Sequence, residues 1–147
     1  MFSETEISRM GDLNFILLVM STIEEGGYFA GNKKIEDYII EYNNKYENKD
    51  NIKRKIIDTI NLIDHLELSD DSIWFRKSNY FTLVCELIKA GNIVQLKDKL
   101  LSFEKNIILD KGKPDSDFNI YYSYMYSGTN SRTARVERGR IFNKYIN

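Results

Sequence analysis

A single cysteine, Cys85, leaves this chain without a partner for an internal disulfide. A lone unpaired thiol is the usage expected inside a reducing compartment, so a cytoplasmic location is expected. Proline is equally scarce. The single Pro114 falls in Lys111-Gly-Lys-Pro-Asp-Ser-Asp117, the clearest loop in the sequence, so helices elsewhere run free of proline breaks. No apolar run approaches the ~20 residues that span a bilayer, and the amino terminus lacks a basic stretch followed by an apolar signal core; no membrane partner is expected. Histidine occurs once, as His65, so no histidine pair exists for a metal or an acid–base couple. Charge is balanced at −1, which argues against a nucleic-acid binder that uses its whole surface.

What is present reads as helix. The chain has 147 residues, which fits one domain (1–147); a chain of that size buries roughly 68–70% of its unfolded surface. Residues 80–88 are apolar except Thr82 and Glu86, so this helix must be enclosed by others. Ser78 and Asn79 are its expected N-cap, and Gly91 its expected stop.

Before it, Ser3-Glu-Thr-Glu6 has the form of a capping box, opening a helix with Ile7, Met10, Leu13, Leu17, Met20 and Ile23 on one face. Phe15, Ile16, Leu18 and Val19 widen that face, and Gly26-Gly27 ends it. A second helix follows Asn32 with Ile35, Tyr38, Ile39 and Tyr42 inward, and a third starts near Asp50 with Ile52, Ile56, Ile60 and Ile63 in one stripe.

Beyond Gly91, Asn92 and Gln95 form a second capping-box pattern ahead of Leu96, Leu100, Phe103 and Ile107. Residues 118–126 fit both a helical and a strand template; helix is preferred, because no partner strand is evident. The last helix runs over Arg132–Tyr145. The expected fold is therefore all-α, about six helices in one compact unit around residues 80–88 and 13–20.

Chemistry is sparse. Asp70 and Asp71 lack further ligands at a metal-like spacing and read as helix caps. Cys85 sits in the most apolar helix, where a thiol is hard to ionise. No catalytic triad, zinc-ligand set or phosphate-binding Gly-rich loop with Lys-Ser/Thr occurs, so no catalytic residue, no metal and no cofactor is expected.

The final segment stands apart. Residues 129–147 carry five cations, Arg132, Arg135, Arg138, Arg140 and Lys144, against one acid, Glu137, a net +4; the preceding chain has sixteen cations against twenty-one acids, a net −5. Arginines in the first turns of a helix oppose its macrodipole, so something negative is expected nearby. Either acids elsewhere in the domain, such as those on the second or third helix, pair with them, or the turn Thr129, Asn130, Ser131 together with Arg132, Arg135, Arg138 and Arg140 holds a phosphate or nucleic acid through backbone amides and guanidinium forks.

Several short stretches carry a family resemblance. Phe2-Ser-Glu-Thr-Glu-Ile-Ser-Arg-Met10, Asp12, the long apolar helix ending at Gly26-Gly27, Trp74-Phe-Arg-Lys77 with Phe81-Thr-Leu83, and Gly128-Thr-Asn-Ser131 with Arg135 and Arg138 resemble the helical region of the ParB-like, GmrSD-type proteins of domain-of-unknown-function family 262. Members typically begin with a ParB-like domain carrying an Asp-Gly-Gln-Gln-Arg signature, associated with nucleotide hydrolysis and DNA cleavage in phage defence, and some end in a His-Asn-His nuclease motif. Neither motif occurs here. The resemblance implies a non-catalytic accessory module, the carboxyl-terminal part of a larger protein, with the ParB-like catalytic domain and DNA as partners. The alternative is a protein-interaction or oligomerisation module that uses the tyrosines of residues 121–126.

Overall fold

The computed structural model describes residues 4–5, 11–31 and 33–147, and every regular element among them is helical. Helices α1 (Gly11–Glu25), α2 (Lys33–Tyr42) and α3 (Lys49–His65) lead to a 3-10 turn, Ile73–Phe75. Helices α4 (Lys77–Ala90), α5 (Leu96–Asp110), α6 (Asp117–Tyr126) and α7 (Arg132–Tyr145) complete it. That is seven α-helices among the described residues, one more than the expected count.

Helix α4 is the centre of the fold. Every side chain from 79 to 87 is buried, and α1, α3, α7 and the 3-10 turn pack around it. Leu83, Val84, Cys85 and Leu87 are each at most 2% exposed; burying a side chain of this kind contributes roughly 1.5–3 kcal/mol, so the apolar run is what assembles the bundle. Its amino terminus differs from expectation. The N-cap is Arg76, without a side-chain cap bond, because the extended exit from the 3-10 turn places Ser78 and Asn79 inside the first turn. Asn79 instead donates Nδ2 to Ile73 O at 2.8 Å and ties the helix to that turn. Gly91 ends α4 at φ +73, a backbone angle that side chains with a Cβ rarely adopt.

Trp74 is fully buried. Its Nε1 donates to Leu100 O at 3.2 Å, and its rings meet Phe103, Tyr121 and Phe142 at 5.4, 6.3 and 5.8 Å. The cap of the 3-10 turn is Ser72, whose Oγ accepts from Trp74 N; Asp70 and Asp71 are exposed and cap nothing. Glu104 of α5 anchors the same turn through Ser72 Oγ and Ile73 N.

Of the α3 stripe Ile52, Ile56 and Ile63 are buried and Ile60 is half-buried, and the stripe Leu96, Leu100, Phe103 and Ile107 of α5 is buried as the periodicity requires. The capping box expected at Asn92 does not form. Gln95 itself is the N-cap, in a left-handed conformation (φ 55, ψ 37) with no side-chain bond, so α5 starts after it. Residues 118–126 are helical, with Ser116 Oγ accepting from Phe118 N.

In α1 the buried side is Phe15, Val19, Ser21 and Thr22, whereas Leu13, assigned to the inward face, is 49% exposed. Apolar residues surround α1 on most sides, so spacing alone does not select the face. Helix α4 selects it, by receiving Phe15 against Tyr80 and Phe81. The capping box at Ser3 and Glu6, together with Ile7 and Met10, lies outside the described residues.

Candidate anion-binding cavity

Residues 127–131 turn the chain from α6 into α7. Gly128 takes φ +58, and Ser131 caps α7 by accepting from Ala134 N at 3.1 Å. That cap sets the rotation of α7, which turns Arg135 and Arg138 inward while Arg132 and Arg140 stay exposed.

Arg138 is 1% exposed and knits three segments together. It donates from Nε to Thr82 Oγ1 at 3.1 Å, from Nη1 to Tyr124 O at 2.8 Å and from Nη2 to Thr129 O at 3.1 Å. Tyr124 lies in the last turn of α6, where unpaired carbonyls make the negative end of the helix dipole, so the guanidinium is stabilised there without a carboxylate.

Arg135 is 3% exposed and more sparingly paired. One terminal nitrogen donates to Phe29 O at 2.6 Å, and the planar group lies 5.3 Å from the Phe81 ring centre and 5.9 Å from that of Phe29. Burial holds both guanidiniums below their usual range, and the charge of Arg138 lowers Arg135 further. A guanidinium still stays protonated under such pressure, so two positive charges are held side by side in the interior. Among the described residues neither has a carboxylate within ion-pair distance.

The other cations of α7 are accounted for on the surface. Arg132 donates Nε to Tyr28 O at 3.2 Å. Arg140 bonds Glu137 and Asp117 at 3.0 and 2.7 Å, and Lys144 bonds Asp117 at 2.8 Å. The acids involved are those of α6 and α7, not those of α2 or α3, because α6 lies directly against α7.

Arg135 and Arg138 open onto a cavity of about 670 Å³ between α1, α2, the start of α4 and the start of α7. Thr129 and Asn130 line it with them, and α4 adds Lys77 and Ser78. The α1 and α2 side presents Phe15, Leu18, Ile35 and Ile39, with Asn14 and Glu36 as its polar members. The structure thus brings together Thr129, Asn130, Arg135 and Arg138 from the sequence-based candidates. Ser131 is used as the cap, and Arg132 and Arg140 face other surfaces. Lys77, Ser78 and Asn14 were missed because they are distant in sequence; a Lys-Ser pair at the start of a buried helix was the only signal they offered.

Elsewhere the reactive groups are sealed. Cys85 is fully buried, and desolvation pushes its thiol well above the usual range. His65 is exposed, its Nδ1 2.6 Å from Asn61 O one turn earlier. Glu86, buried in α4, takes hydrogen bonds from Tyr28 Oη, Lys89 Nζ and Asn143 Nδ2. Among the described residues no group of three acidic, histidine or cysteine side chains is placed to hold a metal ion, and no helix is long and apolar enough to cross a membrane.

Comparison with models of known families, with characterised proteins and with solved structures finds no match to this chain.

Proposed function

We propose that the chain is a non-catalytic helical accessory module that receives an anionic group of nucleic acid in the Arg135–Arg138 cavity. The setting is the one its resemblance implies, beside the ParB-like catalytic domain of a GmrSD-type defence protein. The observation that carries this reading is the pair of buried guanidiniums with no carboxylate beside them among the described residues, opening onto a cavity. A buried charge costs several kcal/mol to desolvate; Arg138 is offset by three oxygens but Arg135 by a single carbonyl, and an anionic ligand would supply the further partner. The reading differs from an exposed arginine helix laid along DNA, since Arg140 and Lys144 are already engaged by Asp117.

The test is a salt-dependent titration of labelled single- and double-stranded DNA against wild type, Arg135→Gln and Arg140→Ala. Binding that weakens as salt rises, is lost in Arg135→Gln and persists in Arg140→Ala supports the cavity, because phosphate contacts release counterions. Equal binding by wild type and Arg135→Gln would remove it.

A second reading, docking onto the ParB-like domain without nucleic acid, is favoured by α5, which leaves Leu101, Ile108 and Leu109 at 45, 68 and 59% exposure along its outer side. The tyrosine interface first considered for residues 121–126 has less to offer, since Tyr121 is fully buried and Tyr126, although 53% exposed, already carries Arg76 over its ring at 4.1 Å. Co-expression with a ParB-like domain tests it: Leu101→Asp combined with Ile108→Asp should abolish co-purification, and unchanged co-purification would count against this face.

A further inference from the structure

Resting on the reading of the cavity as an anion receptor, we infer that its ligand is a nucleoside 5′-monophosphate unit, free or at the 5′ end of a strand, rather than an internal stretch of nucleic-acid backbone.

Depth is the first reason. Arg135 and Arg138 are 3% and 1% exposed, so a phosphate flanked on both sides by a continuing strand cannot be brought to them, whereas a terminal phosphate can enter. Charge is the second. A diester carries one negative charge and a carboxylate one, but a phosphate monoester carries about −1.5 to −2 at neutral pH, which matches two guanidiniums.

The third reason is the supply of donors. Arg135 spends a single hydrogen bond on Phe29 O and keeps the rest of its five-donor fork, and Thr129 and Asn130 line the same space; Ser78 Oγ, also in the lining, already donates to Met125 O at 3.3 Å. A carboxylate has too few oxygens to use such a set; a monoester has enough.

Size and shape supply the rest. About 670 Å³ falls in the range of roughly 300–1,000 Å³ typical of small-molecule sites and far exceeds the room a lone phosphate needs. The surplus volume is walled by Phe15, Leu18, Ile35 and Ile39, which suits a flat apolar body. Phe81 lies under Arg135, so the aromatic surface and the charged end of the cavity are continuous. Glu36 stands on the same α2 side as a hydrogen-bond acceptor for the exocyclic amine of a base. A base joined through ribose to a monoester phosphate meets all of these features together.

Calorimetric titration of the whole chain tests this with inorganic phosphate, adenosine, adenosine 5′-monophosphate, cytidine 5′-monophosphate and a short single strand with or without a 5′-phosphate. Each probe is run on wild type, Arg135→Gln and Ile39→Gln, the last at a site already 46% exposed and therefore tolerant of substitution. The expected result is a nucleotide affinity at least about tenfold above that of inorganic phosphate, with adenosine alone not binding. Arg135→Gln should lose both anions, and Ile39→Gln should bring the nucleotide down to the level of phosphate while leaving phosphate itself unchanged. Tighter binding of the 5′-phosphorylated strand than of the free nucleotides identifies the strand end as the source; the reverse order identifies the free nucleotide. Nucleotide and phosphate binding equally, or Ile39→Gln changing neither, overturns the ligand class while the anion cavity stands. No binding of any anion overturns both.

Discussion

Arg135 and Arg138 are separated by less than one turn of α7 and lie at nearly equal depth, yet their surroundings assign them different work. Two bonds of Arg138 serve backbone carbonyls, Tyr124 O and Thr129 O, and the third goes to Thr82 Oγ1, whose hydroxyl itself donates to Ser78 O at 3.1 Å. Arg138→Met fills similar volume but leaves those carbonyls bare, and unsatisfied buried groups cost about 1–3 kcal/mol each, with relaxation offsetting part of the sum. Urea unfolding should show a loss of about 3 kcal/mol. Arg135→Met forfeits the bond to Phe29 O but removes a buried charge that repels its neighbour, so the two effects nearly cancel and stability should stay within about 1 kcal/mol of wild type. Equal losses in the two variants would contradict this division of roles. Gly139, next to Arg138, permits the close approach of α7 to α4. A Cβ there would lie 2.7 Å from Tyr28 Cε2 and 2.8 Å from Glu86 Oε1, inside the network that fixes Glu86. Gly139→Ala should therefore destabilise the fold by about 1–3 kcal/mol in thermal unfolding, despite the higher helix propensity of alanine. A neutral result would mean that Tyr28 moves aside freely.

Among the elements, α6 and α7 are clamped by Asp117, which accepts from Arg140 and Lys144, and these two bonds hold its carboxyl at about 2. A lowered folded-state pKa means stability that is present above the unfolded value near 4 and lost as pH falls through about 2. Urea unfolding at pH 5 and at pH 2.5 should show a smaller loss in Asp117→Asn than in wild type; the difference should be below about 1 kcal/mol, since Arg140 and Lys144 are 45% and 56% exposed. Equal loss in both proteins would mean that the clamp contributes nothing. The pairing of an acid at the start of α6 with cations late in α7 was not legible in sequence, because 23 and 27 residues separate the partners. The stripes of α3 and α5 were legible, since their inward positions recur at helical spacing. The caps were not. Ser78, Asn79 and Asn92 are the right residue types, but the backbone entering each helix follows from the 3-10 turn and from the left-handed Gln95, which are outcomes of tertiary packing. Ser131 is the contrast: preceded by a glycine turn and followed by a clear helical pattern, it caps α7 through its side chain.

For the molecule as a whole, segregated charge along the chain is resolved by folding. The net +4 of residues 129–147 and the net −5 of the remainder meet at Asp117 on the surface, and in the interior backbone carbonyls stand in for acids. The arginine cluster was visible in the sequence as a candidate site; which arginines point inward was not, because that depends on the rotation of α7 set by Ser131 and by its contact with α4. The buried pair leaves the empty protein under electrostatic load, and an anion that binds only the folded state should relieve it. A ligand present at about 100 times its dissociation constant stabilises the fold by ~2.7 kcal/mol. In a chain of this length that corresponds to a Tm increase of roughly 5–10 °C. Differential scanning calorimetry of wild type with rising concentrations of adenosine 5′-monophosphate should show that increase, at constant ionic strength set with sodium chloride. Arg135→Met, of nearly unchanged stability when empty, should show none. A rise of equal size in both proteins would assign the effect to general salt stabilisation and remove the link between the cavity and the stability of the fold.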